Sequence, residues 1–382
     1  MLCPSRFAEV VVPHGTTAVI TDAHEIANVL GTKGIDYMRK DAAKSPLKML
    51  FSAPSCVPAT PFETSGAVLG LQELKDILKN EDVVALGEVM NFPAVIARDR
   101  QIMDKIQLAN SYNKPVDGHA PLLTGKDLSR YIAAGISTDH ESVTAAEALE
   151  KSNKGMKIMM RYGSASKSME YLIKVSKPDW MIVSDDVSIY DLLQGHLNTA
   201  LKRAVELGYD TIEAIKAVTI NPAEHYKLEI GAIQIGKPAD IVEVSDLKKF
   251  EVKRVFIDGN MVAENGNPLF QTQPFKASYV ENSFRVEPKK PDEFRISQSK
   301  GIAKVRVIEI IKGQITTKES EHNLKVVNNE IMPDISKDVL KIAVVERYGQ
   351  NRVANAFVKG ISLKKGALAF FVAYNFDKSH LK

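Results

Sequence analysis

Between residues 15 and about 190, short apolar runs alternate with longer stretches whose apolar positions recur every three to four residues. The short runs, at 16–21, 48–52, 83–87, 115–118, 136–139, 157–161 and 180–184, predict strands. Segments such as 71–79, 102–111 and 144–151 predict amphipathic helices. Strand, loop and helix repeating every 20 to 35 residues is the rhythm of a βα barrel or of a doubly wound sheet. Polar residues then close the apolar runs: Thr21-Asp22, Gly87-Glu88, Gly118-His119, Asp139-His140 and Ser184-Asp185-Asp186. A barrel gathers its strand ends on one face, whereas a doubly wound sheet spreads them along a crevice, so titratable residues closing five of seven strands favour the barrel. A complete barrel of this kind has eight strands, one more than the pattern supplies.

Beyond the last of these strands, 198–209 and 211–218 predict two closing helices. From Gly231 the pattern shortens to strands at 241–244, 252–257 and 261–263, with Asp258-Gly259 as a hairpin signal. Residues 265–295 are richer in Pro, Lys and Asn and predict a connection to a last region, 302–382, with strand patterns at 303–311 and 339–346.

Composition narrows this picture without redirecting it. An apolar content of 45% and a charged content of 25% are those of a globular domain, and the formal charge of +3 gives no footprint for nucleic acid or for an anionic membrane. Cys3 and Cys56 are the only cysteines and form no CxxC, which argues against a disulfide framework and a thiolate zinc site and points to a reducing, cytoplasmic setting. The start, Met1 to Phe7, lacks the pattern of a signal peptide, and the longest apolar stretch, 366–374, is too short to span a bilayer.

Glu88, His119, His140 and Asp185 carry the chemistry in this arrangement. Their spacings are 31, 21 and 45 residues, so one βα unit separates each of the first pairs and two separate the last. Any one of them alone reads as an ordinary polar group in a loop. Four together, each after an apolar strand, have the residue types of a divalent metal site that would lower the pKa of a bound water.

The wording around these residues resembles the adenine deaminases of the amidohydrolase superfamily. The motifs that carry the resemblance run along the chain: Pro13-His14-Gly15-Thr16-Thr17, Asp22-Ala23-His24-Glu25-Ile26-Ala27-Asn28, Ala53-Pro54-Ser55-Cys56-Val57-Pro58, Gly87-Glu88-Val89-Met90-Asn91, Asp117-Gly118-His119-Ala120-Pro121, Asp139-His140-Glu141, Gly195-His196-Leu197-Asn198 and Gly236-Lys237-Pro238-Ala239-Asp240-Ile241-Val242. The resemblance implies an α/β fold: a TIM-like (β/α) barrel of the amidohydrolase type over 1–225, a small β-domain segment over 226–280 and a C-terminal α+β region over 281–382. It implies hydrolysis of adenine to hypoxanthine and ammonia by a metal-activated hydroxide, with manganese or iron as the cation and zinc as an alternative. Glu88 then matches a carboxylate bridging two metals, His119 and His140 the ligands of the second metal, and Asp185 a carboxylate that binds the first and moves protons. His24, Glu25, Glu141 and Asp186 stand where they could face the substrate or orient the ligands. Partners would be a small purine and, in a homo-oligomer, further copies of the chain. The other zinc deaminase signature, H-x-E with P-C-x-x-C, does not occur, which excludes the cytidine-deaminase fold.

Departures from the family pattern set further expectations. The family's H-x-H pair occurs nowhere in the 382 residues, so the expected barrel lacks its first strand and the expected site holds one metal rather than two. A barrel missing a strand would expose unpaired edges prone to association. Asp185-Asp186 continues Val187-Ser188-Ile189 instead of Arg-His-Pro, and Arg161-Tyr162-Gly163-Ser164 stands for Arg-Glu-Gly-Ser. Near the C-terminus, 372–377 replaces a segment rich in His, Asp and Ser. The alternative these departures raise is a catalytically impaired member that binds purine or a partner without turnover. Locally, Asp22 through Glu25 also reads as a capping box, with Asp22 as N-cap and Gly31 ending the helix. His196 reads as a structural, hydrogen-bonded histidine, and Trp180 as core.

Overall fold

The computed structural model describes residues 2–60, 62–299, 301–312 and 316–369; the C-terminal departure at 372–377 lies outside the described residues. Seven parallel strands form the frame: β1 (Ala18–Asp22), β2 (Lys48–Ala53), β3 (Val83–Val89), β4 (Val116–Gly118), β5 (Thr138–Asp139), β6 (Lys157–Arg161) and β7 (Met181–Val183). They pair in sequence order as β1-β2-β3-β4 and β5-β6-β7, and the Ser137 amide donating to the Val116 carbonyl at 2.9 Å carries the curl from one set to the other. Among the described residues no pairing joins β7 to β1.

The burial of these strands follows their sequence. β3 reads Val-Val-Ala-Leu-Gly-Glu-Val, apolar on both faces until Gly87, because its outer face packs on helices and its inner face fills the barrel. Ile20, Leu50, Val84, Ala85, Met159, Met181 and Val183 meet Tyr226 in the interior, so strands from opposite walls share one apolar plug. Outside the wall, helices such as Leu71–Leu78, Arg100–Ser111 and Gly125–Ala133 bury one stripe each, with Leu74, Ile106 and Leu128 fully enclosed. Trp180 is fully buried just ahead of β7, its indole N–H donating to Ser152 Oγ at 3.0 Å. It is a core residue.

After the barrel, β8 (Ile241–Val244), β9 (Val252–Ile257), β10 (Asn260–Glu264) and β11 (Asn267–Pro268) form an antiparallel sheet in the order β11-β10-β9-β8. Asp258 and Gly259 take φ of 49° and 77°, the two left-handed positions that a tight hairpin between β9 and β10 demands. Lys48 Nζ on β2 reaches Asp240 Oδ1 and Asp258 Oδ1, each at 2.7 Å, and ties this sheet to the barrel. The last sheet joins β12 (Ile302–Ile310), β13 (Thr317–Val327), β14 (Glu330–Ile331), β15 (Val339–Val345) and β16 (Val353–Lys359) in the order β14-β13-β12-β16-β15. In this C-terminal region the helical content of the described residues is confined to single 3-10 turns, so it is in essence β. No helix among the described residues is long and apolar enough to cross a membrane.

Candidate metal centre

The C-terminal ends of β3, β4 and β5 deliver Glu88, His119 and His140 to one point. His119 Nδ1 lies 2.6 Å and His140 Nε2 2.9 Å from the same oxygen, Glu88 Oε2, and the two nitrogens are 3.3 Å apart. The rings meet edge to face with centroids 5.2 Å apart, which leaves both nitrogens aimed at the carboxylate. Nitrogens bound at about 2.1 Å to one tetrahedral cation would be roughly 3.4 Å apart, close to the 3.3 Å seen, while Glu88 Oε2, at hydrogen-bond distance from both, would draw back to admit the ion. Two imidazoles and a carboxylate suit zinc, iron or manganese.

Local sequence explains why Glu88 stands where it does. Its amide donates to Asp22 Oδ2 at 3.2 Å, and its carbonyl accepts from Ser55 Oγ at 2.6 Å. Glycine at the preceding position leaves room for this grip, because a Cβ on Gly87 would lie 1.9 Å from Asp22 Oδ2 and push it aside. His119 is held in the same manner: its amide donates to Tyr131 Oη at 3.0 Å, and that hydroxyl donates to the Val89 carbonyl at 2.9 Å. Asp22 therefore does not serve as the helix N-cap that the capping-box pattern predicts. The helix begins at His24 with Ala23 as its N-cap and no side-chain cap, while Gly31 does end it, at φ 61°. The demand of the Glu88 amide for a buried acceptor outweighs the local capping preference.

Electrostatics at the centre call for positive charge. His140 Nε2 faces Glu88 Oε2, Glu141 Oε1 at 3.5 Å and Asp185 Oδ2 at 3.6 Å. Burial alone would lower its pKa, but the surrounding carboxylates, Glu88 foremost, raise it to about 10. Burial opposes ionisation of Glu88 as well, yet His140 and His119 hold its carboxyl well below the usual range. A cation at this point would take over the role of the proton that the carboxylates hold on His140.

The remaining predicted residues divide. Asp185 sits beyond β7 in a left-handed conformation, φ 54°, which a short polar side chain tolerates, and its two oxygens reach His140 Nε2 and, at 3.2 Å, Arg161 Nη2. Glu141 is buried, with its carboxylate paired to Arg161 Nη1, and does not face solvent. His24 lies 3.4 Å from Asp22 Oδ1 and 3.5 Å from Glu88 Oε1; burial lowers and Asp22 more than restores its affinity for a proton, leaving the pKa well above the ordinary histidine value. Glu25 flanks it at 3.6 Å, while Asp186 is exposed at the rim. His196, outside the centre, is buried between Thr16 Oγ1 at 2.8 Å and Ser184 Oγ at 3.1 Å, and burial pushes its pKa down to about 4. The sequence reading missed Asp22, Ser55, Tyr131 and Arg161 as supports of the site. Asp22 and Arg161 carried a signal, as the polar residues that close β1 and β6; Ser55 and Tyr131 carried none.

Residues 1–262 match the amidohydrolase family, the class to which a curled βα frame with a strand-end Glu–His–His cluster points, and residues 314–379 match the adenine deaminase C-terminal domain. The adenine deaminase of Methanosphaera stadtmanae is 48% identical over 378 residues, which is 98% of this chain and 69% of that protein. The adenine deaminase of Methanothermobacter thermautotrophicus is 47% identical over 382 residues, again 98% of this chain and 69% of the relative. Among solved structures, the β-aspartyl dipeptidase of Fervidobacterium islandicum in complex with a β-Asp-Leu dipeptide superposes with a TM-score of 0.53 at 16% identity, covering 70% of this chain and 79% of that one; this is a likeness of fold alone. The chain belongs to the adenine deaminase family, within the amidohydrolases.

Proposed function

We infer that the chain hydrolyses adenine to hypoxanthine and ammonia, using a divalent cation held by Glu88, His119 and His140. The observation that carries this reading is the convergence of the two imidazoles on Glu88 Oε2 in a chain that follows adenine deaminases along 98% of its length. Manganese or iron is the expected ion, with zinc as an alternative the donor set also accepts. Such an ion lowers the pKa of a coordinated water toward neutrality.

The chain's own residues have proton and positioning work. Hydrolysis forms a C6–O bond and breaks the C6–N bond; one proton of the water ends on N1 of the ring and the other on the departing ammonia. Asp185 would carry a proton between these positions, a role supported by its Oδ2 lying 3.6 Å from His140 Nε2. Arg161 restrains it through Oδ1 and neutralises Glu141 at the same time. His24, beside Glu88 Oε1, and Glu25 line the opposite side, where substrate contact is open to them.

A chain that binds purine without turnover, the alternative raised by the sequence, is not favoured. The test is ammonia release from adenine by protein reconstituted with manganese. We expect turnover that His119→Ala reduces by at least a hundredfold; metal-loaded protein releasing no ammonia would overturn the reading. A cytoplasmic setting belongs to this proposal and is supported by Cys3 and Cys56, both free thiols. Assembly of copies of the chain belongs to it too, supported by the exposed apolar Ile233, Ile235, Ile241 and Val242.

A further inference from the structure

Among the described residues, one lysine has no contact with solvent. Lys151, on the helix Ala145–Asn153, is completely buried, as is Asp139, and Glu147 is nearly so. Lys151 Nζ donates to Glu147 Oε1 at 2.6 Å, the Ala120 carbonyl at 2.7 Å and Asp139 Oδ2 at 2.9 Å, with Ser142 Oγ at 3.4 Å. Three near acceptors use the three protons of the ammonium.

Apart from the Ser142 hydroxyl, which donates to Asp139 Oδ2 at 2.7 Å, the two carboxylates spend their remaining capacity on the backbone of the ligand loops. Asp139 Oδ1 accepts from the Ala120 amide at 3.0 Å, and Oδ2 accepts from the Glu141 amide at 3.2 Å. These amides belong to the residues that directly follow His119 and His140. Glu147 repeats the pattern farther out: Oε1 accepts from the Leu122 amide at 2.7 Å and Oε2 from the Val143 amide at 3.0 Å. Each carboxylate thus takes one amide from the loop after β4 and one from the loop after β5. Lys151 adds the Ala120 carbonyl and holds both carboxylates together.

We propose that Lys151, through Asp139 and Glu147, is the positioning residue that fixes His119 and His140 relative to each other and so sets the affinity of the centre for its cation. A helix packed only for stability could use an apolar residue at 151, and burying an ion triad is a costly way to brace a core. The triad's partners are the reason for ions here: five backbone groups from two separate loops need strong acceptors and a donor, and all five lie within three residues of a histidine. A shift of one loop against the other would change the 3.3 Å gap between the two nitrogens, to which a bound ion is sensitive. This inference rests on the reading of Glu88, His119 and His140 as ligands.

The test measures manganese affinity of the full chain by competition with a chelator, alongside near-ultraviolet circular dichroism and the thermal midpoint of the metal-free protein. Asp139→Asn and Glu147→Gln keep the side-chain volumes and decide the matter where Lys151→Met does not fold. We expect native dichroism and a manganese Kd raised about 10- to 100-fold, the range for groups that orient metal ligands. Leu324→Ala, in the core of the C-terminal sheet rather than of the barrel, should lower the thermal midpoint and leave the Kd unchanged. Both amide variants folding natively with wild-type affinity would overturn the proposal. Wild-type protein that binds no manganese would instead overturn the ligand assignment on which it rests.

Discussion

A histidine ringed by carboxylates and a histidine ringed by hydroxyls sit in the same barrel and are driven in opposite directions. His140 faces Glu88, Glu141 and Asp185 and is held cationic unless a metal replaces its proton. His196, between Thr16 and Ser184, is kept neutral by burial, with a pKa of about 4. Because that folded value lies below the unfolded one near 6.5, the stability it contributes is present above about pH 6.5 and is lost as pH falls toward 4, by roughly 3 kcal/mol. Denaturant midpoints measured across that window should fall more steeply for wild type than for His196→Gln; parallel curves would remove His196 from the account. Arg161 is the other residue whose partners decide its role. Arg161→Met would remove the charge nearest to buried Glu141 and leave it only the histidines, His140 at 3.5 Å, and we expect a loss of about 1–3 kcal/mol in unfolding free energy together with reduced turnover. A thermal midpoint within a degree or two of wild type would contradict the ion pair.

At the scale of elements, a strand end places a side chain only if its backbone is fixed from behind. β3 achieves this through Asp22 on β1 and Ser55 after β2, which grip the Glu88 amide and carbonyl. Gly87 makes the grip possible by leaving room for the Asp22 carboxylate. Gly87→Ala should therefore displace Asp22 and Glu88 and lower metal content per chain well below wild type, read by elemental analysis of folded protein; unchanged content would show that the carboxylate has room to move. The same logic explains the failed capping expectation. Asp22 through Glu25 spells a good helix start, but a buried amide two strands away competes for the same carboxylate and wins, since leaving it unsatisfied costs about 1–3 kcal/mol against roughly 1 kcal/mol for a cap.

For the molecule as a whole, contacts far apart in sequence join the barrel to the β sheets. Lys48 on β2 bridges Asp240 and Asp258, and Arg352 donates to Thr64 Oγ1 across 288 residues. Asp240 is mostly buried, so removing its partner is felt. Lys48→Met should lower stability by about 1–2 kcal/mol in urea titrations while leaving the manganese Kd unchanged, because the bridge lies away from the strand ends that hold Glu88, His119 and His140. A changed Kd would mean that the small sheet bears on the metal centre.

The alternation of apolar runs and helical stripes determined the seven strands, and the polar residues that close them the side on which Glu88, His119, His140 and Asp185 emerge, because strand periodicity and βα chirality are local or nearly local properties. Motif wording carried the family. The hairpin at Asp258-Gly259 was legible for the same reason: two left-handed residues in succession favour few other sequences. What the sequence could not disclose is which polar group answers which. Whether Asp22 caps a helix or holds Glu88, whether Glu141 faces water or Arg161, and why a lysine is wholly buried at 151 depend on residues brought together from strands and helices tens of positions apart. Those choices are made by the satisfaction of buried donors and acceptors, a condition that exists only once the tertiary structure has excluded water.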